Sequence, residues 1–156
     1  MSLVVGDQVP FFESKDQFGQ PFKSDSVIGV RPAVVYFYPK NQTPGCTSEA
    51  CSFRDNYEDF KDLGAEVIGI SSDSVSSHER FMKRNSLPFI LLSDSKKEIQ
   101  RLFKLPKLLF GLYTKRITFV VDATGKVAYV HDSMRPSGHI SNALKILQSK
   151  SKGHTE

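Results

Sequence analysis

The chain has 156 residues, 39% hydrophobic and 24% charged, with a formal net charge of +4 at neutral pH. That size suits one domain around a single core, and no apolar run approaches the ~20 residues needed to span a bilayer. The small positive balance is read as lysines on solvated helix faces, because no nucleic-acid motif or stacking set accompanies it.

In chain order, residues 9–22 read as an opening hairpin, with turn chemistry at Asp16, Gln17, Phe18 and Gly19. Residues 24–28 form a short turn or helix. Residues 33–38 (Ala-Val-Val-Tyr-Phe-Tyr) are a continuous apolar run of strand length, the pattern of a strand covered on both faces, and Pro39 ends it. From Gly45 the period becomes helical. Cys46, Ala50, Phe53, Tyr57 and Phe60 recur at steps of four and three and form one buried stripe. Residues 66–71 are the next strand, and Ser74 or Ser76 caps a helix running to Asn85. Residues 88–92 are a short strand, and Asp94 or Ser95 begins a helix carrying Ile99, Leu102 and Phe103. Residues 105–113 read as an irregular loop, unusually apolar for one, which either packs, rims a site or meets a partner. Residues 116–122 are a strong strand that turns at 123–126 into a partner over 127–130. Residues 136–148 form the last helix. The expectation is one domain over residues 1–149 with a flexible polar tail, 150–156. Alternating strands and helices in one short chain argue an α/β sandwich about a central sheet.

The chemistry concentrates in residues 36–51. Cys46 falls where a strand, through a Pro/Gly turn, enters a helix. The first turn of a helix offers unpaired N–H groups and the positive end of its dipoles, and both favour thiolate over thiol. Cys46 is therefore a candidate nucleophile. Pro44 fits the start of a helix, and Thr43 supplies a hydroxyl donor. The bland reading of both cysteines, small buried packing residues, is weighed against this. Two cysteines make neither a disulfide framework nor a zinc site. His78, His131, His139 and His154 are scattered singly and read as surface or satisfied histidines.

Pro39, Thr43 and Cys46, with three and then two residues between them, resemble the active-site motif of the peroxiredoxins. The string Thr43-Pro44-Gly45-Cys46-Thr47-Ser48-Glu49-Ala50-Cys51 is similar to the peroxiredoxin Q, or bacterioferritin-comigratory-protein, branch, where a second cysteine often follows the first by five residues. Arg116-Ile117-Thr118-Phe119-Val120-Val121-Asp122 resembles the second peroxiredoxin signature, in which an arginine opening a strand points at the reactive thiolate.

The resemblance implies a thioredoxin-like α/β fold: a central mixed sheet flanked by helices, with an N-terminal β-hairpin. It implies a thiol-dependent peroxidase acting on hydrogen peroxide and alkyl hydroperoxides, with no metal or organic cofactor. Cys46 is then the peroxidatic and Cys51 the resolving cysteine. Arg116, the Thr43 hydroxyl and the backbone N–H of Gly45 or Cys46 stabilise the leaving oxygen. Pro39 and Pro44 stiffen the pocket. Glu49 orients the arginine, or is an exposed first-turn acid serving the helix dipole. The electron donor is thioredoxin or glutaredoxin, and the chain is a monomer without nucleic-acid or membrane partners. It is cytoplasmic, or works in an organelle after loss of a targeting segment, since residues 1–7 lack the features of a signal peptide.

Two residues five apart on an intact helix have Cα atoms roughly 8.7 Å apart, beyond the 4.4–6.8 Å a disulfide tolerates. A Cys46–Cys51 bond therefore requires residues 45–53 to unwind. Two competing readings are carried. A thiol–disulfide oxidoreductase would want a C-x-x-C pair, and a non-catalytic binding or holdase module could share the fold.

Overall fold

The computed structural model describes residues 2–106 and 115–153, without the side chains of 150–153. Its inner strand β3 (Ala33–Phe37) follows β1 (Glu13–Asp16) and β2 (Pro21–Lys23) in the chain, and all five of its side chains are buried. It pairs in parallel with β4 (Glu66–Ser71) and antiparallel with β6 (Ile117–Val121). β5 (Ile90–Ser93) and β7 (Val127–Asp132) complete a seven-stranded mixed sheet of order β2-β1-β5-β4-β3-β6-β7. Strand alternation splits the core in two. Val35, Phe37, Ile68, Ile70, Ile117 and Phe119 pack with Phe12 and Phe103 on one face. Val34, Tyr36, Val67 and Val120 pack on the other with Phe53, Phe60, Phe81 and Cys46. This is the expected thioredoxin-like architecture with its N-terminal hairpin, whose turn is closed by Asp16 Oδ1 accepting from the N–H groups of Phe18 and Gln20.

Several boundaries move, each for a local reason. β3 ends at Phe37 rather than Tyr38, although Tyr38 stays buried and its N–H still donates to the Ile70 carbonyl. The single helix expected after Gly45 is two: α1 (Pro44–Asp55) and α2 (Tyr57–Asp62), separated by Asn56 at φ −107°, ψ 9°. The apolar stripe keeps its phase across that one residue, so its spacing hides the break. α3 (Val75–Asn85) starts as expected, with Ser74 Oγ accepting from the Ser77 N–H. β5 lies two residues beyond Pro88, which cannot donate to a ladder. α4 (Glu98–Leu102) begins later than Asp94, whose carboxylate nonetheless accepts from the Ile99 and Gln100 N–H groups. α5 (His139–Gly153) begins after Pro136 and Gly138 and continues past residue 149, the expected end of the domain. Leu105 is buried, while the rest of the apolar segment expected at 105–113, apart from Pro106, lies outside the described residues, as do tail residues 154–156. Among the described residues, no helix is long and apolar enough to cross a membrane.

Candidate active site

Thr43 has extended backbone angles and Pro44 opens α1, so Cys46 occupies the helix's first turn, with its sulfur in the core and the residue 1% exposed. The loop leading to it is anchored from behind. Tyr38 Oη donates to Asn41 Oδ1 (2.6 Å), the Asn41 N–H donates to Asp73 Oδ2 (2.9 Å), and Asn41 Nδ2 lies 3.0 Å from His78 Nδ1. His78 is fully buried, and burial holds its ring below the usual imidazole range. It is the satisfied histidine the sequence led us to expect, here pinning the Pro39–Pro44 turn through Asn41. Pro39 is half-buried and Pro44 exposed.

Arg116 immediately precedes β6 and is 4% exposed. Its Nη2 donates to Cys46 Sγ at 3.3 Å, its Nη1 to Glu49 Oε1 at 2.6 Å, and its Nε to the Met134 carbonyl at 3.0 Å. Three partners fix the plane of the guanidinium, a placement for which lysine would be no substitute. Burial works against its charge, but Glu49 and Cys46 more than compensate and raise its pKa. Glu49 is not the exposed first-turn acid of the alternative reading: it is 1% exposed and in direct contact with Arg116. Burial pushes its carboxyl up to about 7, with Arg116 opposing.

Gly45 has a spatial role that its backbone N–H did not suggest. A Cβ there would sit 3.2 Å from Arg116 Nη2 and 3.3 Å from Pro136 Cγ. Thr43 also differs from expectation. Its hydroxyl donates to the Lys40 carbonyl at 2.9 Å rather than to the sulfur, because the turn offers that acceptor three residues back. Cys51 lies further along α1, half-buried, with Sγ 3.8 Å from Asn85 Oδ1, and Arg54 Nη1 donates to the Asn85 carbonyl at 2.7 Å. Both cysteines are free thiols. With α1 intact through Asp55, the unwinding argument applies to the folded chain unchanged.

The sequence reading gave neither His139, taken for a surface or satisfied histidine, nor Thr118 a place in the site. His139 is fully buried at the start of α5, with Nδ1 2.7 Å from Thr118 Oγ1, Nε2 2.9 Å from the Ser133 carbonyl and Nδ1 3.7 Å from Glu49 Oε2. A signal for Thr118 did exist. It stands two residues after Arg116 and so shares its face of the strand, a lone hydroxyl in an apolar run. His139 carried no local signal for a place in the site, because its site partners Thr118 and Glu49 lie 21 and 90 residues away in sequence.

The AhpC/TSA family model matches residues 5–130. The chain is 48% identical over 145 residues to a chloroplastic peroxiredoxin Q of rice (Oryza sativa subsp. japonica), spanning 92% of this chain and 66% of the relative. It is 48% identical over 148 residues to the chloroplastic peroxiredoxin Q of Sedum lineare, spanning 94% and 79%. The crystal structure of peroxidoxin BcpB from Mycobacterium tuberculosis superposes with a TM-score of 0.88 at 36% identity, covering 94% of this chain and 97% of that one. Peroxiredoxin Q of Xanthomonas campestris superposes at 0.81 with 29% identity, covering 90% and 91%. With the motif around Cys46, the arginine beside its sulfur and these similarities in agreement, the chain belongs to the AhpC/TSA family, in its peroxiredoxin Q or bacterioferritin-comigratory-protein branch.

Proposed function

We propose that the chain is a thiol-dependent peroxidase of hydrogen peroxide and alkyl hydroperoxides. The observation that carries this reading is a buried guanidinium 3.3 Å from a cysteine sulfur in the first turn of a helix. The Cys46 thiolate attacks one peroxide oxygen in line with the O–O bond. That bond breaks, an S–O bond forms, and the departing oxygen takes a proton to leave as water or alcohol. Arg116 and the backbone N–H groups of the first turn stabilise the charge developing on that oxygen. The Thr43 hydroxyl joins them by exchanging the Lys40 carbonyl for substrate. Pro39 and Pro44 stiffen the turn. The Cys46 sulfenic acid then condenses with the Cys51 thiol, giving a disulfide and water. A dithiol donor, thioredoxin or glutaredoxin, reduces the disulfide, and the enzyme acts as a monomer. Relatives in rice and Sedum lineare are described as chloroplastic, which favours an organelle over the cytoplasm.

Peroxide consumption with dithiothreitol tests the reading. Cys46→Ser is expected to abolish turnover. Cys51→Ser is expected to stop the intramolecular disulfide while still forming one sulfenic acid per chain. Undiminished turnover in Cys46→Ser, or none in the parent, would point instead to the disulfide oxidoreductase or the binding module.

A further inference from the structure

Three ionisable groups meet in a space almost closed to water: Cys46 and Glu49 are each 1% exposed and Arg116 is 4% exposed. One guanidinium faces both possible anions, through Nη2 to the sulfur and Nη1 to the carboxyl. With both ionised, the cluster would hold a net negative charge in a medium that solvates it poorly. With one ionised, it is neutral. The thiolate and the carboxylate therefore compete for Arg116.

The far side of Glu49 indicates how the competition is settled. His139 Nε2 lies 2.9 Å from the Ser133 carbonyl, which can only accept, so Nε2 carries the ring hydrogen. Nδ1 is then the lone-pair side of a neutral imidazole and accepts from the Thr118 hydroxyl. Glu49 Oε2 faces that same nitrogen at 3.7 Å, fully buried and without a hydrogen-bond partner. Two acceptors confront each other there, an arrangement that a proton between them resolves.

We propose that Arg116 is shared by two competing anions and that His139, whose Nδ1 lone pair exchanges the Thr118 hydroxyl for the O–H of a neutral Glu49, leaves Cys46 as the ionised partner. This rests on the peroxidase reading for its consequence, but not for its chemistry. The proton balance is Cys46–SH with Glu49–COO⁻ going to Cys46–S⁻ with Glu49–COOH. One S–H bond is lost, one O–H bond is gained, no electrons move, and the charge of the cluster with Arg116 stays zero. Burial raises the Glu49 carboxyl to about 7 and depresses His139 to about 4, so the shared proton belongs to the carboxyl. The other groups nearby do not compete for it. Burial keeps the hydroxyls of Tyr36, in β3, and Tyr38, just past its end, protonated. His131 of β7 stands behind His139, edge-on with ring centres 4.3 Å apart. His139 is thus a positioning residue: it acts on the sulfur through Glu49 and Arg116.

Infrared spectroscopy of the reduced protein at neutral pH tests this through the carbonyl stretch of a protonated carboxylic acid, assigned by its loss in Glu49→Gln. The parent should show the band. Cys46→Ser should lose it, because Glu49 then has Arg116 to itself. His139→Phe should weaken it and lower the Cys46 thiolate-to-thiol ratio, read by ultraviolet absorbance in a Cys51→Ser background, by about fivefold for one lost hydrogen bond. Adding Glu49→Gln to His139→Phe should restore the thiolate, because the amide keeps a neutral partner for Arg116. Thr118→Val serves as a second probe of the His139 side and should leave the band in place. An ionised Glu49 in the parent, or a band unchanged in Cys46→Ser, would overturn the proposal. A parent with both the band and the thiolate but no peroxide turnover would support it and overturn the peroxidase reading instead.

Discussion

At the scale of residues, Gly45 is the glycine whose lack of a side chain bears on the site. Its missing side chain leaves room for the guanidinium, since a Cβ would stand 3.2 Å from Arg116 Nη2. That contact forces a shift of a few tenths of an ångström, and Arg116 is tied to Met134 and Glu49 on its other sides. Gly45→Ala should therefore lengthen the contact to the sulfur and slow the reaction with peroxide by about tenfold, about 1.4 kcal/mol in barrier, with little change in thermal stability. Stopped-flow kinetics under single turnover would show it, and a parent-like rate would mean the close fit is incidental. Cys46 was visible from its place at a helix start, whereas Arg116 entered through the resemblance and Glu49 with an exposed first-turn acid as its alternative. The sequence reading offered a reason for Gly45, its N–H, that the packing supplements with another. It took His139 only for a surface or satisfied histidine, because a buried histidine's neighbours leave no mark beside it in the chain.

At the scale of elements, α1 carries both thiols and must change shape to join them. Cys51 and Arg54 both contact Asn85 at the end of α3, so unwinding also releases α1 from α3. Amide hydrogen exchange over residues 45–53 should rise on oxidation while the sheet stays protected. Identical protection in the two states would rule the unwinding out. Strands were legible wherever an apolar run was uninterrupted, as in β3, β4 and β6, and α3 was legible through its serine cap. The break at Asn56 was not, because one residue of altered φ and ψ does not disturb the spacing of Phe53, Tyr57 and Phe60. The late start of α4 was hidden too: Lys97 is left-handed, at φ 58°, and Asp94 caps from a distance.

At the scale of the whole molecule, the sheet divides two cores and sets the reactive sulfur in one of them, beside the histidine that opens α5. Folding therefore takes an imidazole out of water. His139 drops from 6.5 to about 4 through burial. A depressed imidazole contributes stability above 6.5 that is lost as pH falls toward about 4, because the unfolded chain binds that proton more readily. Glu49, raised to about 7, contributes with the opposite sign over that interval, so urea denaturation should show the His139 loss as the difference between the parent and a His139 variant. His139→Phe should lose less, keeping a residual slope from His78, which burial also depresses. Equal slopes in parent and variant would contradict the placement of His139. The order of the strands was beyond the sequence, since pairing across a sheet leaves no local mark.

The most direct measurement of the central claim is the intact mass of the reduced protein after one equivalent of hydrogen peroxide. The account predicts a loss of two hydrogens per chain, with peptide mapping joining Cys46 to Cys51, and a gain of one oxygen on Cys46 in Cys51→Ser. A protein that kept its mass while the peroxide remained in solution would contradict it.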